Sequence, residues 1–138
     1  MVQVTFKLAG AKELSKLLDQ LDEEVAGKLV RAAGRAGAEV IADEARRLVP
    51  VRDGELQASI AVSQDRNIGR EVETIIGFRQ PTASRAHLTE FGTVHSQARP
   101  FLRPAMDSKA QASIEAAAKS LSKGIAREAR RLARKTRR

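Results

Sequence analysis

The sequence predicts an α+β fold, with a small, mainly antiparallel β-sheet packed against two long α-helices, one towards each end of the chain. Three observations carry this. Apolar residues recur in three- and four-residue steps over 11–48 and again over 114–132, the period of a helix with one buried face. Between these tracts, two short stretches alternate apolar with polar, the period of a half-buried strand. A length of 138 residues suits one domain, taken here as 1–138 with a basic helical extension from about residue 119.

The elements follow in order. "VQVTFKL" places Val2, Val4, Phe6 and Leu8 on one face and reads as a strand, ended by Ala9-Gly10. From Ala11 the period is helical, through Leu14, Leu17, Leu18, Leu21, Val25, Leu29, Ala33, Ala36, Val40 and Leu48. Gly27, Gly34 and Gly37 each weaken this helix by ~1 kcal/mol relative to Ala, and mark a kink or a close contact with another helix. Pro50 ends it, because a residue preceding proline disfavours helix. Asp53-Gly54 is a turn signal. Leu56, Ala58, Ile60 and Val62 then alternate as a second strand. After the polar loop "SQDRNIGR", Val72, Thr74, Ile76 and Phe78 form a third, antiparallel to it. Ser84 is placed to cap a short helix, "RAHLTEF", which Gly92 stops. Pro104 suits the first turn of the second long helix, whose narrow stripe is Ile114, Ala118, Leu121, Ile125 and Leu132. The terminal "RKTRR" is expected to fray unless bound.

Composition bounds what the chain can do. Aromatic residues are 3%, with no Trp or Tyr, so the core must be thin and assembly with neighbours would add stability. Without cysteine there is no disulfide framework, thiolate metal site or Cys nucleophile. The opening residues lack the pattern of a signal peptide, no apolar run approaches the ~18 residues of a membrane span, and no membrane contact is expected. The net charge is +8, and residues 119–138 carry all of it, with nine Lys or Arg against Glu128. Residues 1–118 hold 16 basic and 16 acidic residues.

No constellation for chemistry stands out. His87 and His95 are eight apart, not the three or four of a helical metal pair. No serine sits in a G-x-S-x-G elbow, and no phosphate-cradling glycine loop is present. His87 and Glu90 could imitate an acid–base pair, but helical neighbours three apart often touch without catalytic purpose. The expectation is a non-enzyme with no metal and no cofactor.

Two segments remain as candidates. In "EFGTVHSQARPFLRPA" (90–105), Phe91 and Phe101 are either the largest core plugs of an aromatic-poor domain or part of a docking loop. Gly92, Pro100 and Pro104 set its direction, and Thr93, Arg99 and Arg103 are its candidate contacts with a neighbour. Pro50 and Gly54 belong to the same structural set. Along the basic helix, Lys123, Arg127, Arg130, Arg131, Arg134 and Lys135 are candidates for contact with DNA or an acidic partner, against the commoner reading of a solvated face. No aromatic lies in 102–138, so base stacking is not available there.

Two phrases together resemble a known family. "LVPVRDGELQASI" (48–60) and "HLTEFGTVHSQARPFLRPAM" (87–106) are similar to the two signatures of the neck or tail-completion proteins of long-tailed phages, relatives of the lambda-type minor tail protein Z. The order of elements around them is similar over nearly the whole chain. Where that family has Asp-Thr before the glycine, this chain has Arg52-Asp53, which still suits a turn. The resemblance implies a structural virion protein at the head–tail junction. It implies self-association in a homo-oligomeric ring of six- or twelve-fold order, and partners among the head-completion, tail-tube and terminator proteins and the packaged DNA end. A tail-terminator ring is the nearest alternative, and a small basic nucleic-acid-binding protein is the alternative of another class.

Overall fold

The computed structural model describes residues 11–52, 54–64 and 72–137. The strand expected at Val2–Leu8, Asp53 of the turn and most of the loop between the second and third strands lie outside the described residues.

The elements run α1 (Ala11–Asp19), α2 (Glu23–Leu48), α3 (Glu55–Ser59), β1 (Ile60–Gln64), β2 (Thr74–Phe78), α4 (Ala83–Phe91) and α5 (Leu102–Thr136). This is the expected α+β arrangement, with a two-stranded antiparallel sheet and long helices towards both ends. In the register, Ile60 faces Phe78, Val62 faces Ile76 and Gln64 faces Thr74. These pairs share one face by strand alternation, and Ile60 and Val62 are buried.

Several expectations on element boundaries are corrected. The first long helix is two helices, and the break falls at Gln20–Asp22 rather than at a glycine. Leu56 and Ala58 belong to a short helix, so the second strand begins only at Ile60. In that turn of helix, Leu56 and Ser59 are both buried and the Ser59 hydroxyl donates to the Leu56 carbonyl at 2.7 Å. Alternation over so few residues does not separate a strand from a helical turn. The residue preceding α4 is Thr82, not Ser84. Its hydroxyl donates backwards to the Arg79 carbonyl at 2.7 Å, which closes the turn rather than capping the helix. Of the terminal "RKTRR", Arg134 to Thr136 belong to α5.

The glycines of α2 serve packing. A Cβ on Gly37 would stand 2.9 Å from the backbone oxygen of Ser113 on α5, and the Ser113 hydroxyl donates to the Gly37 carbonyl at 2.8 Å. Eleven residues further along α5, Gly124 meets Leu29 of α2. The pairs 37–113 and 29–124 run in opposite senses, so α2 and α5 lie antiparallel, locked at two close approaches. The most buried positions of α5 are accordingly small: Ala105, Ser113 and Gly124. The apolar stripe read from the sequence is half-buried at Ile114, Ala118, Leu121 and Ile125, and Leu132 is exposed.

Side chains of α2 tie the sheet down. Arg46 donates to the Ile60 carbonyl at 3.0 Å and pairs with Asp43 at 2.6 Å. From β1, the Gln64 side chain donates in return to the Arg31 carbonyl of α2 at 2.6 Å. The core holds Ile41, Ala42, Ala45, Val49, Leu56, Ile60, Val62, Ala86, Phe101 and Ala105. Phe101 is its one large side chain with no exposure, and meets the Phe78 ring edge-on at 5.8 Å.

The glycine contacts give a paired prediction. Gly27→Ala has room, its nearest neighbour being 3.9 Å from the added carbon, and should stabilise by up to about 1 kcal/mol. Gly37→Ala drives a methyl into backbone and should destabilise by about 1 kcal/mol or more despite the same helix gain. Urea midpoints of the two variants should move in opposite directions.

Candidate functional site

The segment 90–105 is built around a carboxylate. Glu90, on the last turn of α4, is buried. Its Oε2 accepts from the backbone N–H of Phe101 at 2.8 Å and of Leu102 at 3.1 Å, and its Oε1 from that of Arg103 at 3.1 Å. A helix leaves its first four N–H groups without internal partners. In α5 these belong to Phe101, Leu102, Arg103 and Pro104, and proline has no N–H. The fifth, Ala105, donates to the Phe101 carbonyl at 3.1 Å. One carboxylate and one proline therefore complete the helix start, and the negative charge lies at the positive end of the helix dipole.

This use of Glu90 replaces the acid–base pairing weighed from the sequence. Both carboxylate oxygens are engaged by backbone, while the His87 ring lies 4.8 Å from that of Phe91. Among the described residues no group of three or more His, Cys, Asp or Glu is placed to hold a metal ion. The local capping rules could not find this contact, because the acceptor lies eleven to thirteen residues upstream. The one signal was a helix start, "RPFLRP", without a Ser, Thr, Asp or Asn to cap it.

Between α4 and α5 the chain makes a closed, exposed loop. Gly92 ends α4 with φ 76° and ψ 178°, and a Cβ there would stand 2.7 Å from the Ala98 nitrogen, so both conformation and space require glycine. Thr93 and Ser96 exchange backbone hydrogen bonds of 2.9 and 3.3 Å, and the Arg99 N–H returns to the Thr89 carbonyl at 2.8 Å. Every residue from Thr93 to Pro100 is exposed, and Val94 at its tip is 97% exposed.

Of the residues named from the sequence, Phe101 is the core plug, but Phe91 is not. It is 58% exposed, with the Arg103 guanidinium 5.4 Å over its ring. Pro104 sits half-buried in the first turn of α5, and Pro100 is exposed before it. Gly54 precedes α3 with φ 80°, the left-handed conformation that favours glycine.

The fold brings the two sequence segments together. Pro50, Arg52, Gly54, Leu56 and Gln57 from the first, and Arg85, Leu88, Thr89, Thr93, Ser96, Gln97 and Arg99 around the second, line one groove of about 510 Å³. Arg85 reaches Glu55 at 3.5 Å. Val51, Leu88, Phe91 and Val94 are large apolar side chains exposed in these same two segments. The sequence reading did not single out Leu88 or Val94, because an isolated exposed apolar residue has no periodicity to mark it.

The basic candidates lie elsewhere. Lys123, Arg127, Arg130, Arg131, Arg134 and Lys135 are all exposed along the distal half of α5, and Arg131 pairs with Glu128 at 2.7 Å. A shallow hollow of about 440 Å³ runs past Ser120, Lys123, Ala126, Arg127 and Arg130. A 35-residue helix extends ~50 Å, so this surface and the groove belong to opposite ends of α5.

Compared with protein-family models, residues 12–92 match the HK97-gp10-like family, described as "Bacteriophage HK97-gp10, putative tail-component". The match runs from α1 to the end of α4 and stops before the exposed loop and α5. Neither the curated proteins nor the solved structures gave a match.

Substitutions should separate the roles. Glu90→Ala strands three backbone donors and should cost about 3 kcal/mol or more. Glu90→Gln keeps the shape but loses the charge and should cost roughly 1–2 kcal/mol. Phe101→Ala should cost ~3–5 kcal/mol. Phe91→Ala and His95→Ala should stay within about 1 kcal/mol in denaturant unfolding.

Proposed function

Because the chain belongs to the HK97-gp10-like family of bacteriophage tail components, matching it over more than half its length, we propose that it is a neck or tail-completion subunit of a long-tailed phage. It acts in the virion at the head–tail junction, as a homo-oligomeric ring that joins the tail to the DNA-filled head. Its partners are further copies of itself and the neighbouring neck and tail proteins. The role is structural and requires no catalytic residue or cofactor.

The observation that carries this reading is the surface where the two sequence segments meet. Leu88 lines the groove together with Arg52 and Arg99, and Val51, Phe91 and Val94 are exposed in the same two sequence segments. An apolar side chain exposed in a groove among arginines has the composition that protein–protein contacts favour. The scaffold beneath is firm: Glu90 fixes α4 to α5 and Arg99 closes the loop onto Thr89. A preordered loop loses less entropy on docking than a floppy one. The thin core supports the same reading, since among the described residues one large side chain is fully buried, and such a core gains stability from neighbours.

Depletion of the protein during phage growth tests the role. Electron microscopy of the lysate should show filled heads and free tails side by side, with infectious particles restored by the wild-type chain. Intact infectious virions in its absence would overturn the joining role. In complementation, Val94→Asp or Leu88→Asp should lower the yield of joined particles while leaving the thermal midpoint of the isolated chain nearly unchanged.

A further inference from the structure

The distal half of α5 carries a second surface that the family match does not cover and the joining role does not use. Lys119, Lys123, Arg127, Arg130, Arg134 and Arg137 follow one another at steps of four, four, three, four and three. At 3.6 residues per turn these positions fall within an arc of about 80° and extend over about 27 Å. All six are exposed. Glu128 is the one carboxylate in 119–137, and it pairs with Arg131 off the arc. None of the six cations forms an ion pair with a described residue. Like charges at this spacing repel along the helix, a modest but repeated cost that a polyanion would relieve.

The chemistry of the arc distinguishes among polyanions. A protein partner would be expected to find apolar or aromatic anchors within the contact. The positions that share or flank the arc are Ala112, Ala116, Ser120 and Ala126, which are too small to anchor anything. A single strand would be expected to use stacking side chains, and no aromatic occurs in 102–138. A straight row of cations flanked by small residues on a projecting helix fits the regularly spaced phosphates of a duplex, and a helix of this diameter fits the major groove. The regular spacing of the row, with no Asn or Gln on it to read adenine, suits contact with backbone phosphates.

We infer that α5 carries a duplex-DNA-binding arm, in which the Lys119–Arg137 row binds the phosphate backbone without regard to sequence. This function is independent of the docking groove at the other end of α5 and would hold for the isolated chain.

The test is fluorescence anisotropy of the full-length chain with random-sequence 30-base-pair duplexes, titrated against salt. Binding should weaken with a log–log slope of about −5, for roughly six phosphate contacts. Arg130→Ala/Arg134→Ala should reduce that slope by about 2. Arg131→Ala/Lys135→Ala removes the same net charge from the same helix but off the row, and should reduce it by less than about 1. Circular dichroism of both variants should retain wild-type helix content. Equal losses from the two pairs would overturn the assignment in favour of a diffuse charge effect. Competition by poly-glutamate as effective as duplex at equal charge would overturn it in favour of an acidic protein, as would tighter binding to single strands or no salt-dependent binding at all.

Discussion

The structure depends on the Glu90 carboxylate. A buried anion must be satisfied, and three backbone N–H groups at the start of α5 satisfy it. The reverse also holds, since those donors sit at the edge of the core and have no internal acceptors. The contact sets where α5 begins, and with it the position of Phe101, which fills the core beside Phe78. It also fixes the distance between the end of α4 and the start of α5. Residues 92–100 therefore form a closed loop with pinned ends. Core packing, the course of the longest helix and the presentation of the exposed loop all follow from one side chain.

The pairing of α2 and α5 answers a different constraint. With so few large apolar residues, the helices cannot be held apart by bulky side chains and filled between. They approach at Gly37 and Gly124 until backbone and small side chains touch. The Ser113–Gly37 hydrogen bond then places a polar group in the contact without leaving it unpaired. Dispersion over a close contact takes the place of large buried side chains.

The helix period and the antiparallel strand pair were legible because both repeat. The places where the reading failed share a cause. Leu56 and Ala58 alternate, yet a helical turn buries Leu56 and Ser59, and five residues are too few to tell the two patterns apart. The break of the first helix at Gln20–Asp22 has no glycine or proline to announce it. Phe91 and Phe101 look equivalent in composition. Only the fold, which turns one towards Phe78 and the other under Arg103, separates them. Glu90 was visible as a residue but not as a cap, because its partners lie beyond the range of any local rule. Of the residues lining the groove, Pro50, Gly54, Thr93 and Arg99 were singled out from sequence because they belong to unusual segments. Their convergence into one groove is a tertiary fact that spacing does not contain.

The segregation of charge has a colloidal consequence. Residues 1–118 carry equal numbers of acidic and basic side chains, so the body alone would sit at zero net charge near neutral pH, where proteins are least soluble. The end of α5 thus provides the whole long-range repulsion that keeps free copies apart, reaching about one screening length in physiological salt. Any polyanion that neutralises that helix removes the barrier to self-association in the same step.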